Sequence, residues 1–404
     1  MAGDEKIDIS KIDTINVGIV GHIDHGKTTL LQKLSGKWAD THSEELKRGI
    51  TIKLGYADAI IREENGKLTV DKNSKGKIVR YVTFVDAPGH EMLMATMLSG
   101  AAIMDAAILV VAANEGIKPQ TREHLVALKA KKIKNVIIVQ NKIDLVSKEQ
   151  ALESYKTIKQ FVKDTVAENA PVIPVSAIQE INLDKILDEI CKVPITKPSK
   201  DEKATFLIAR SFDINKPGTE ISKLHGGVLG GALKSGTLKI GDVIEIKPGY
   251  SFKKQNVYHY KTVTSKIVSM MKGEHPITVA VPGGSLAIET ELDPSLTKAD
   301  SLSGGIASHV GELPEITEKI KVRFNLFEKV IGSGSEEKVA LIKSNEMLML
   351  SINTSTTVGS VLNVKGDVAE VSLKIPVVPI KGESIGIARN FGGHWRLIGF
   401  GEIS

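Results

Sequence analysis

The sequence predicts an α/β domain with a doubly wound sheet, followed by two β-barrel domains. In the first half of the chain, short apolar runs rich in β-branched residues alternate with helical patterns. Such runs are typical of parallel strands that are buried on both faces and covered by helices. In the second half, short strand-like runs are divided by glycine and proline, and no long helical pattern occurs, which indicates barrels or sandwiches.

The α/β prediction depends on five strand-like runs and two long helical segments. The helical segments are 119–132 (PQTREHLVALKAKK) and 147–169 (SKEQALESYKTIKQFVKDTVAEN). Because strands and helices follow each other in turn, we expect a mainly parallel sheet. The strand-like runs are 15–21, 81–87, 106–113, 135–141 and 171–177.

Two changes of composition divide the chain into three parts. A charged stretch with prolines at 192–204 is typical of a linker, and a second seam falls near "GELPEITEKI". We therefore predict the α/β domain over 1–203, β-barrel domain II over 204–318 and β-barrel domain III over 319–404.

Composition excludes several other classes of protein. The net charge of +5 over 404 residues is mild and neither half is a polybasic arm, so bulk charge gives only weak support for a nucleic-acid partner. The single cysteine, Cys191, excludes an internal disulfide framework and any multi-cysteine metal site. The polar N-terminus lacks the pattern of a secretory signal, and the longest apolar run, 106–113, is too short to span a bilayer. We expect a cytoplasmic protein with no membrane partner.

A phosphate-binding loop is predicted at residues 21–28. The stretch "GHIDHGKT" matches G-x-x-x-x-G-K-[ST], directly after a predicted strand and before the helical pattern "KTTLLQKLSG". In this setting backbone N–H groups surround phosphates, Lys27 reaches the β- and γ-phosphates, and the Thr28 hydroxyl binds Mg²⁺. The alternative is a glycine-rich turn without a ligand, but the strand–loop–helix context favours the phosphate site.

The stretch "QNKIDL" at 140–145 predicts which base is bound. Guanine presents two parallel N–H donors, which match a carboxylate held at a strand end, such as that of Asp144. Adenine lacks that pair of donors, so binding it would leave the carboxylate unpaired. Alone, the motif is also consistent with an ordinary solvated turn. Further along, Ser176 and the backbone of Ala177 end the next predicted strand and could contact the base oxygen.

Two further stretches predict a sensor of the γ-phosphate. "HSEELKRGITI" ends a polar loop with a threonine, Thr51, that can bind Mg²⁺ and order the loop only with the triphosphate. In "DAPGH", Asp86 can reach the same ion through water and the Gly89 N–H can meet the phosphate. His90 follows at a predicted helix start, where its position alone would equally suit an exposed residue of the first turn.

In this order and spacing, "GHIDHGKTT", "RGITI", "DAPGHE" and "NKID" resemble the translational GTPases. "RSFDINKPGTE", "GGVLGG", "LDPSLTKAD" and the ending "WRLIGFGEIS" are similar, more narrowly, to the family of archaeal translation initiation factor 2 gamma subunits. The resemblance implies a GTP-binding domain and two β-barrels, and binding of methionyl initiator tRNA in the GTP state. It also implies a heterotrimer with alpha and beta subunits, delivery of the tRNA to the small ribosomal subunit, and GTP hydrolysis as the release switch.

The resemblance also implies roles for individual residues. His90 would orient the attacking water, with Ile23 and Ile50 between it and the phosphate, and Asp86 and Lys27 would assist hydrolysis. The implied Mg²⁺ contacts are Asp24, Thr28, Gly49, Thr51 and Asp86. The implied GTP or GDP contacts are Asp24, His25, Gly26, Lys27, Thr28, Thr29, Gly89, Asn141, Lys142, Ile143, Asp144, Ser176, Ala177 and Ile178.

One departure from the family pattern concerns zinc. Many archaeal members carry a zinc knuckle with two CxxC motifs before the "FVDAPGH" strand, whereas residues 63–80 here contain neither cysteine nor histidine. We therefore expect no zinc at this place. Asn65 and Gly66 predict that a hairpin turn closes the same loop.

Several readings of function stay open at this point. Residues 247–272 hold six lysines, four aromatic residues and no acid, which suits either an RNA contact or a solvated hairpin face. An elongation-type or selenocysteine-specific tRNA-carrying GTPase is the nearest alternative function. A P-loop phosphotransferase would need a second-substrate site, and a structural scaffold with a silent nucleotide site is the third possibility.

Overall fold

The structure is a computed structural model that describes residues 8–9, 12–36, 54–88, 94–195, 202–330 and 337–404. Its chain divides into two compact units. One unit comprises Ile15–Pro194, Glu318–Ile375 and Ile380–Ser404, and the other comprises Met1–Thr14, Ile195–Thr317 and Pro376–Pro379.

The first half of the chain forms a seven-stranded mixed sheet with the order β3-β2-β4-β1-β5-β6-β7. Neighbours β1–β5, β5–β6 and β6–β7 are parallel, whereas β2 pairs antiparallel with both β3 and β4. Every residue of β1 and β5 is buried, as their continuous apolar runs predict. The strands are β1 (Thr14–Gly21), β2 (Gly55–Glu64), β3 (Lys67–Thr69), β4 (Lys77–Asp86), β5 (Ala106–Ala112), β6 (Asn135–Asn141) and β7 (Val172–Pro174).

Within the described residues, the first half of the chain contains five α-helices, of which four lie between strands of this sheet and the fifth follows β7. They are α1 (Lys27–Ser35), α2 (Met94–Ala101), α3 (Pro119–Ala130), α4 (Lys148–Val162) and α5 (Leu183–Lys192). Helix α4 begins at a reciprocal cap, in which Ser147 Oγ accepts from Gln150 N at 3.2 Å and Gln150 Oε1 accepts from Ser147 N at 2.9 Å. It ends at Val162, earlier than the predicted 169, because Lys163 leaves helical geometry.

The turn at Asn65 and Gly66 is confirmed. Glu64 pairs with Lys67, so two residues connect β2 to β3, and both have positive φ, 52° and 73°. This backbone matches the twist of a two-residue hairpin and is the reason that Asn-Gly suits the position.

The second half contains two closed six-stranded barrels, which confirms the predicted fold class. In the middle barrel, the order β11-β16-β8-β9-β15-β12 is closed by pairing of β11 with β12, and β13 extends the sheet beside β12. Its strands are β8 (Thr205–Phe212), β9 (Val228–Ser235), β11 (Val243–Lys254), β12 (Val257–Lys272), β13 (His275–Ile277), β15 (Leu286–Thr290) and β16 (Ile306–His309). A separate short pair is formed by β10 (Leu238–Lys239) and β14 (Val279–Ala280).

The C-terminal barrel has the order β17-β20-β19-β18-β21-β22. Alternate residues are buried in β17, β19 and β20, because one face of each of these strands lines the barrel core, whereas β18 and most of β21 are buried on both faces. The strands are β17 (Thr317–Leu326), β18 (Met347–Ile352), β19 (Ser355–Lys365), β20 (Val368–Val377), β21 (Ser384–Phe391) and β22 (His394–Ile403). In the part of the chain that the structure describes, no helix has the length and apolar character needed to cross a bilayer.

Candidate nucleotide-binding site

The loop between β1 and α1 has a backbone that only glycine fits at two positions. Gly21 and Gly26 have φ of 140° and 87°. A Cβ at Gly21 would lie 2.4 Å from the Val110 carbonyl oxygen, and a Cβ at Gly26 would lie 2.4 Å from Asn141 Nδ2. The two glycines of the sequence motif are therefore required by close approach as well as by conformation.

Lys27, the first residue of α1, spans this loop. Its side chain is mostly buried, and Nζ donates a hydrogen bond to the His22 carbonyl oxygen at 2.8 Å. The ammonium group is thus held at the mouth of a helix N-terminus, where backbone N–H groups and the helix dipole both favour an anion. The arrangement suits a phosphate group.

A hydroxyl and a carboxylate meet where α1 begins and β4 ends. Thr28 Oγ1 donates to Asp86 Oδ2 at 3.3 Å, and Asp86 is fully buried. Two hard oxygen ligands beside a phosphate loop are the donor set that Mg²⁺ prefers, and it usually keeps several waters besides. The residues present therefore fit a magnesium ion.

Asn141, at the end of β6, connects two loops. Its Nδ2 donates to the His25 carbonyl oxygen at 3.0 Å, and its Oδ1 accepts from the Ala177 backbone N–H at 3.1 Å. Ser176 is buried, and its Oγ accepts from the Gln179 N–H at 3.2 Å. Asn141 thereby holds the phosphate loop against the loop at 176–178 that we expect to contact the base.

Lys142 and Asp144 occupy the turn after Asn141. Lys142 has a φ of 60°, and its Nζ donates to Glu115 Oε1 at 3.2 Å. Burial alone would raise the pKa of Glu115, but the hydrogen bond and charge of Lys142 outweigh burial and lower it. Asp144 is exposed in the first turn of a 3₁₀ helix, Ile143–Leu145, where its carboxylate can meet a ligand.

Sequence reasoning missed Glu115. Its position in the sequence could have indicated a role, because Glu115 follows the end of β5 by three residues. In open α/β sheets, ligands bind beside the carboxyl ends of the parallel strands. Glu115 ion-pairs with Lys142, and its second oxygen lies 4.0 Å from His25 Nε2. It therefore restrains the ammonium end of the Lys142 side chain beside the Asn141–Asp144 turn.

The side chain of His25 lies against β5 of the sheet. It is fully buried, and Nδ1 donates to the Val110 carbonyl oxygen at 3.2 Å. Burial lowers the pKa of His25 to about 4, so the ring is neutral near pH 7. Its contribution to a nucleotide contact would come from the backbone.

His124, in α3, is a second residue that sequence reasoning missed. The Gly21 N–H donates to its Nδ1 at 2.8 Å, and the ring is 2 % exposed. Burial lowers the pKa of His124 to about 3, so the ring is a neutral acceptor. A signal existed, since Thr121, His124, Leu125 and Leu128 share the helical spacing of one buried face.

Helix α3 also contacts the C-terminal barrel. Arg396 Nη1 donates to Glu123 Oε1 at 2.9 Å, and both side chains are largely buried. Lys131 Nζ donates to the carbonyl oxygens of Ser351 at 3.0 Å and Asn353 at 3.3 Å. Burial lowers the pKa of Lys131 to about 8. The helix that supports the phosphate loop is therefore also the helix that contacts the barrel.

The structure brings together the P-loop, Asp86, the Asn141–Asp144 turn and the loop at 176–178. Of the remaining site predictions, Asp24 is exposed with a φ of 62°, and Ile178 is 67 % exposed. Five predicted residues lie outside the described residues: Gly49, Ile50, Thr51, Gly89 and His90.

Comparison with known proteins also indicates a GTP-binding domain in the first half of the chain. A family model described as "Elongation factor Tu GTP binding domain" matches residues 12–195, and one described as "Initiation factor eIF2 gamma, C terminal" matches residues 318–403. Together with the α/β domain and two barrels, these matches define the chain as a translational GTPase.

Curated relatives show which family of translational GTPases the chain belongs to. Translation initiation factor 2 subunit gamma of Methanococcus maripaludis (strain C7) is 52% identical over 402 residues, covering 96% of this chain and 98% of the relative. The corresponding subunits of Methanocaldococcus jannaschii and Pyrococcus horikoshii are 50% and 48% identical, each covering 96% of this chain and 97% of the relative. The chain belongs to the family of translation initiation factor 2 gamma subunits.

Solved structures agree on the fold. A bacterial selenocysteine-specific elongation factor matches with a TM-score of 0.76 and 25% identity, covering 97% of this chain and 58% of that protein. Elongation factor SelB of Methanococcus maripaludis, in complex with a GTP analogue, matches with a TM-score of 0.71 and 22% identity, covering 97% and 79%.

Proposed function

We propose that this chain binds methionyl initiator tRNA in its GTP state and delivers it to the small ribosomal subunit in the cytoplasm, with GTP hydrolysis as the release switch. One observation carries the proposal: identity of 48–52% to named gamma subunits extends over 96% of the chain, barrels included. Alpha and beta subunits of the same factor are the proposed partners in a heterotrimer.

The proposed chemistry follows from the site. Lys27 and the loop N–H groups would bind the phosphates, Asp144 would bind the guanine donors, and Thr28 with Asp86 would hold the magnesium ion. That ion, when bound, neutralises charge on the β- and γ-phosphates. Hydrolysis then needs little covalent help from the protein, so positioning and charge stabilisation supply most of the rate.

His90 is proposed to orient the attacking water, with Ile23 and Ile50 holding it off the phosphate until a partner closes the site. Gly49 and Thr51 would complete the magnesium site, and Gly89 would contact the γ-phosphate. These assignments rest on the match of "RGITI" and "DAPGHE" to the family pattern. No zinc is proposed for residues 63–80, because the hairpin there offers neither cysteine nor histidine.

The nearest alternative, an elongation-type or selenocysteine-specific carrier, is not favoured, because residues 318–403 match the initiation-factor C-terminal model. Membership in a GTPase family also argues against a phosphotransferase or a silent scaffold.

Filter binding tests the proposal directly. The purified chain, loaded with a non-hydrolysable GTP analogue or with GDP, is titrated with methionyl initiator tRNA and with methionyl elongator tRNA at one salt concentration. We expect preference for the initiator tRNA and loss of binding with GDP. Equal affinity for both tRNAs would contradict the initiation role, and equal affinity in both nucleotide states would contradict the switch.

A further inference from the structure

The hairpin formed by the distal parts of β11 and β12 extends beyond the middle barrel. Nearer the barrel, β11 pairs with β16 at Ile244–Lys247, and β12 pairs with β15 at Ile267–Met271. Between 250 and 261 the two strands pair only with each other among the described strands. Residues 251–259 are all exposed. The segment is therefore a two-stranded ribbon with both faces open to solvent.

The strand register divides this ribbon into two faces. Residues directly opposite each other share a face, and successive residues alternate between faces. Phe252 pairs with His259, whereas Lys253 pairs with Tyr258 on the opposite face. Gln255 and Asn256 form the turn, with φ of 51° and 63°. We call the first face the hairpin face; it consists of Tyr250, Phe252, Lys254, Val257, His259 and Lys261.

Three rings are adjacent on the hairpin face. The ring centroids of Phe252 and His259 are 5.5 Å apart with 26° between their planes, and those of Phe252 and Tyr250 are 5.8 Å apart. Phe252 is 40 % exposed. Tyr250 is half-buried and packs against the core of the middle barrel, so the exposed rings of the hairpin face are Phe252 and His259. These two adjacent rings present aromatic surface on which a planar ligand can stack.

Not all of the basic residues in this region contribute to such a surface. Lys247 is buried, with Nζ 3.2 Å from Glu315 Oε1, and Lys272 is buried, with Nζ 2.7 Å from the Gly283 carbonyl oxygen. Lys254 and Lys261, on the hairpin face, are exposed, and the described residues include no acidic partner within ion-pair distance of either one. The chain has no acidic residue between 247 and 272. The positive charge on the hairpin face is thus available to a ligand.

We propose that the hairpin face is a binding site for unpaired RNA nucleotides, distinct from the guanine-nucleotide site. Rings on a β-surface stack on splayed bases, and neighbouring lysines neutralise the phosphates that connect those bases. The face combines both features within five successive cross-strand pairs. An acidic protein surface would use the lysines but not the adjacent rings, and an apolar partner would use the rings but not the lysines.

Fluorescence anisotropy with a labelled single-stranded oligouridylate and the full-length chain in its GDP state tests this site. Phe252→Ala should weaken binding roughly fivefold or more, because base–aromatic stacking is lost. Phe252→Leu should weaken it similarly while retaining apolar bulk, and Phe252→Tyr should restore it. If Phe252→Leu bound as the parent does, stacking would play no part and the proposal would fail.

Salt dependence separates a local site from net charge. Lys254→Ala with Lys261→Ala should reduce the slope of log affinity against log salt by about 1.4, at about 0.7 for each phosphate contact in single strands. The matched control, Lys239→Ala with Lys298→Ala, removes two exposed lysines from the same compact unit and should retain the parent slope. Equal losses in both double variants would show an effect of net charge alone and overturn the proposal.

Further arms identify the source of the RNA and guard against misfolding. Competition by uncharged initiator tRNA or by small-subunit ribosomal RNA shows which one supplies the nucleotides, while a duplex of the same length should compete weakly.

GDP affinity and melting temperature should match the parent for every variant, since all substituted side chains are partly or wholly exposed. If the hairpin-face variants lost affinity for a protein partner while their affinity for RNA stayed unchanged, the proposal would be overturned. Because the chain is in its GDP state, the outcome is independent of GTP-dependent tRNA delivery.

Discussion

Replacing His124 tests how far the phosphate loop depends on a remote side chain. The Gly21 N–H donates to His124 Nδ1 at 2.8 Å inside the protein. In His124→Ala that buried donor loses its acceptor, which costs about 1–3 kcal/mol. If the whole cost falls on the nucleotide-bound state, GDP affinity drops by roughly fivefold to more than a hundredfold.

The matched variant is His124→Asn, because an asparagine Oδ1 can occupy the position of Nδ1 and keep accepting from Gly21. Release of a fluorescent GDP analogue, measured by stopped flow, should be much faster for His124→Ala than for His124→Asn. Melting temperatures measured in parallel separate loop positioning from a general loss of stability. Equal GDP release from the two variants would refute the role of the hydrogen bond.

The same histidine predicts an acid effect whose sign follows from its pKa. Burial lowers the pKa of His124 from 6.5 to about 3, so the folded ring stays neutral where the unfolded ring takes up a proton. Its share of stability is complete above about pH 6.5 and is lost as the pH falls toward 3. At pH 5 the loss is about 2 kcal/mol, from 1.5 pH units at about 1.4 kcal/mol each. His124→Asn should lose correspondingly less stability than the parent between pH 7 and pH 5 in urea titrations.

Three further substitutions test other parts of the site. Asp144→Asn should shift preference from guanine toward xanthine nucleotides, because the amide supplies a donor where guanine needs an acceptor; unchanged selectivity in competition binding would contradict the donor-pair argument. His90→Ala should slow ribosome-stimulated GTP hydrolysis while leaving GTP and tRNA affinities nearly intact; collapse of binding would mean a structural role. Arg396→Ala should lower the free energy of unfolding, measured by urea titration, by about 3 kcal/mol, because the largely buried Glu123 carboxylate loses the guanidinium that pairs with it. Adding Glu123→Ala should recover part of that loss, and no recovery in the double variant would contradict the reasoning.

Elements that depend on local pattern were predictable from the sequence. Strand β6 coincides with the apolar run 135–141, and the Asn65–Gly66 turn follows from turn chemistry alone. Strand β7 is shorter than the run 171–177, because only Val172–Pro174 pairs with β6. The turn after Val162 was also missed: the Thr165 hydroxyl donates to the Val162 carbonyl oxygen at 2.6 Å and helps to end α4. Helical periodicity does not register such side-chain caps.

Contacts between remote residues were not predictable. Gly21 and His124 are 103 residues apart, and no local property of "PQTREHLVALKA" shows which backbone group the ring meets. The six lysines of 247–272 look alike in the sequence, yet Lys247 and Lys272 are buried against carbonyl oxygens. Counting charges therefore overestimates the basic surface, because burial is a property of the fold.

The P-loop motif alone does not make this site, because the loop's own polar groups need partners from elsewhere in the chain. The Gly21 N–H is paired by His124 of α3, and the His25 carbonyl oxygen is paired by Asn141 of β6. An unpaired carbonyl oxygen at the loop would repel phosphate, and a protonated imidazole could not accept the Gly21 N–H. Asn141 is thus needed for the phosphate end as well as the base end. Through Asn141 the guanine motif and the phosphate motif are joined by direct hydrogen bonds, a connection that neither motif shows in the sequence.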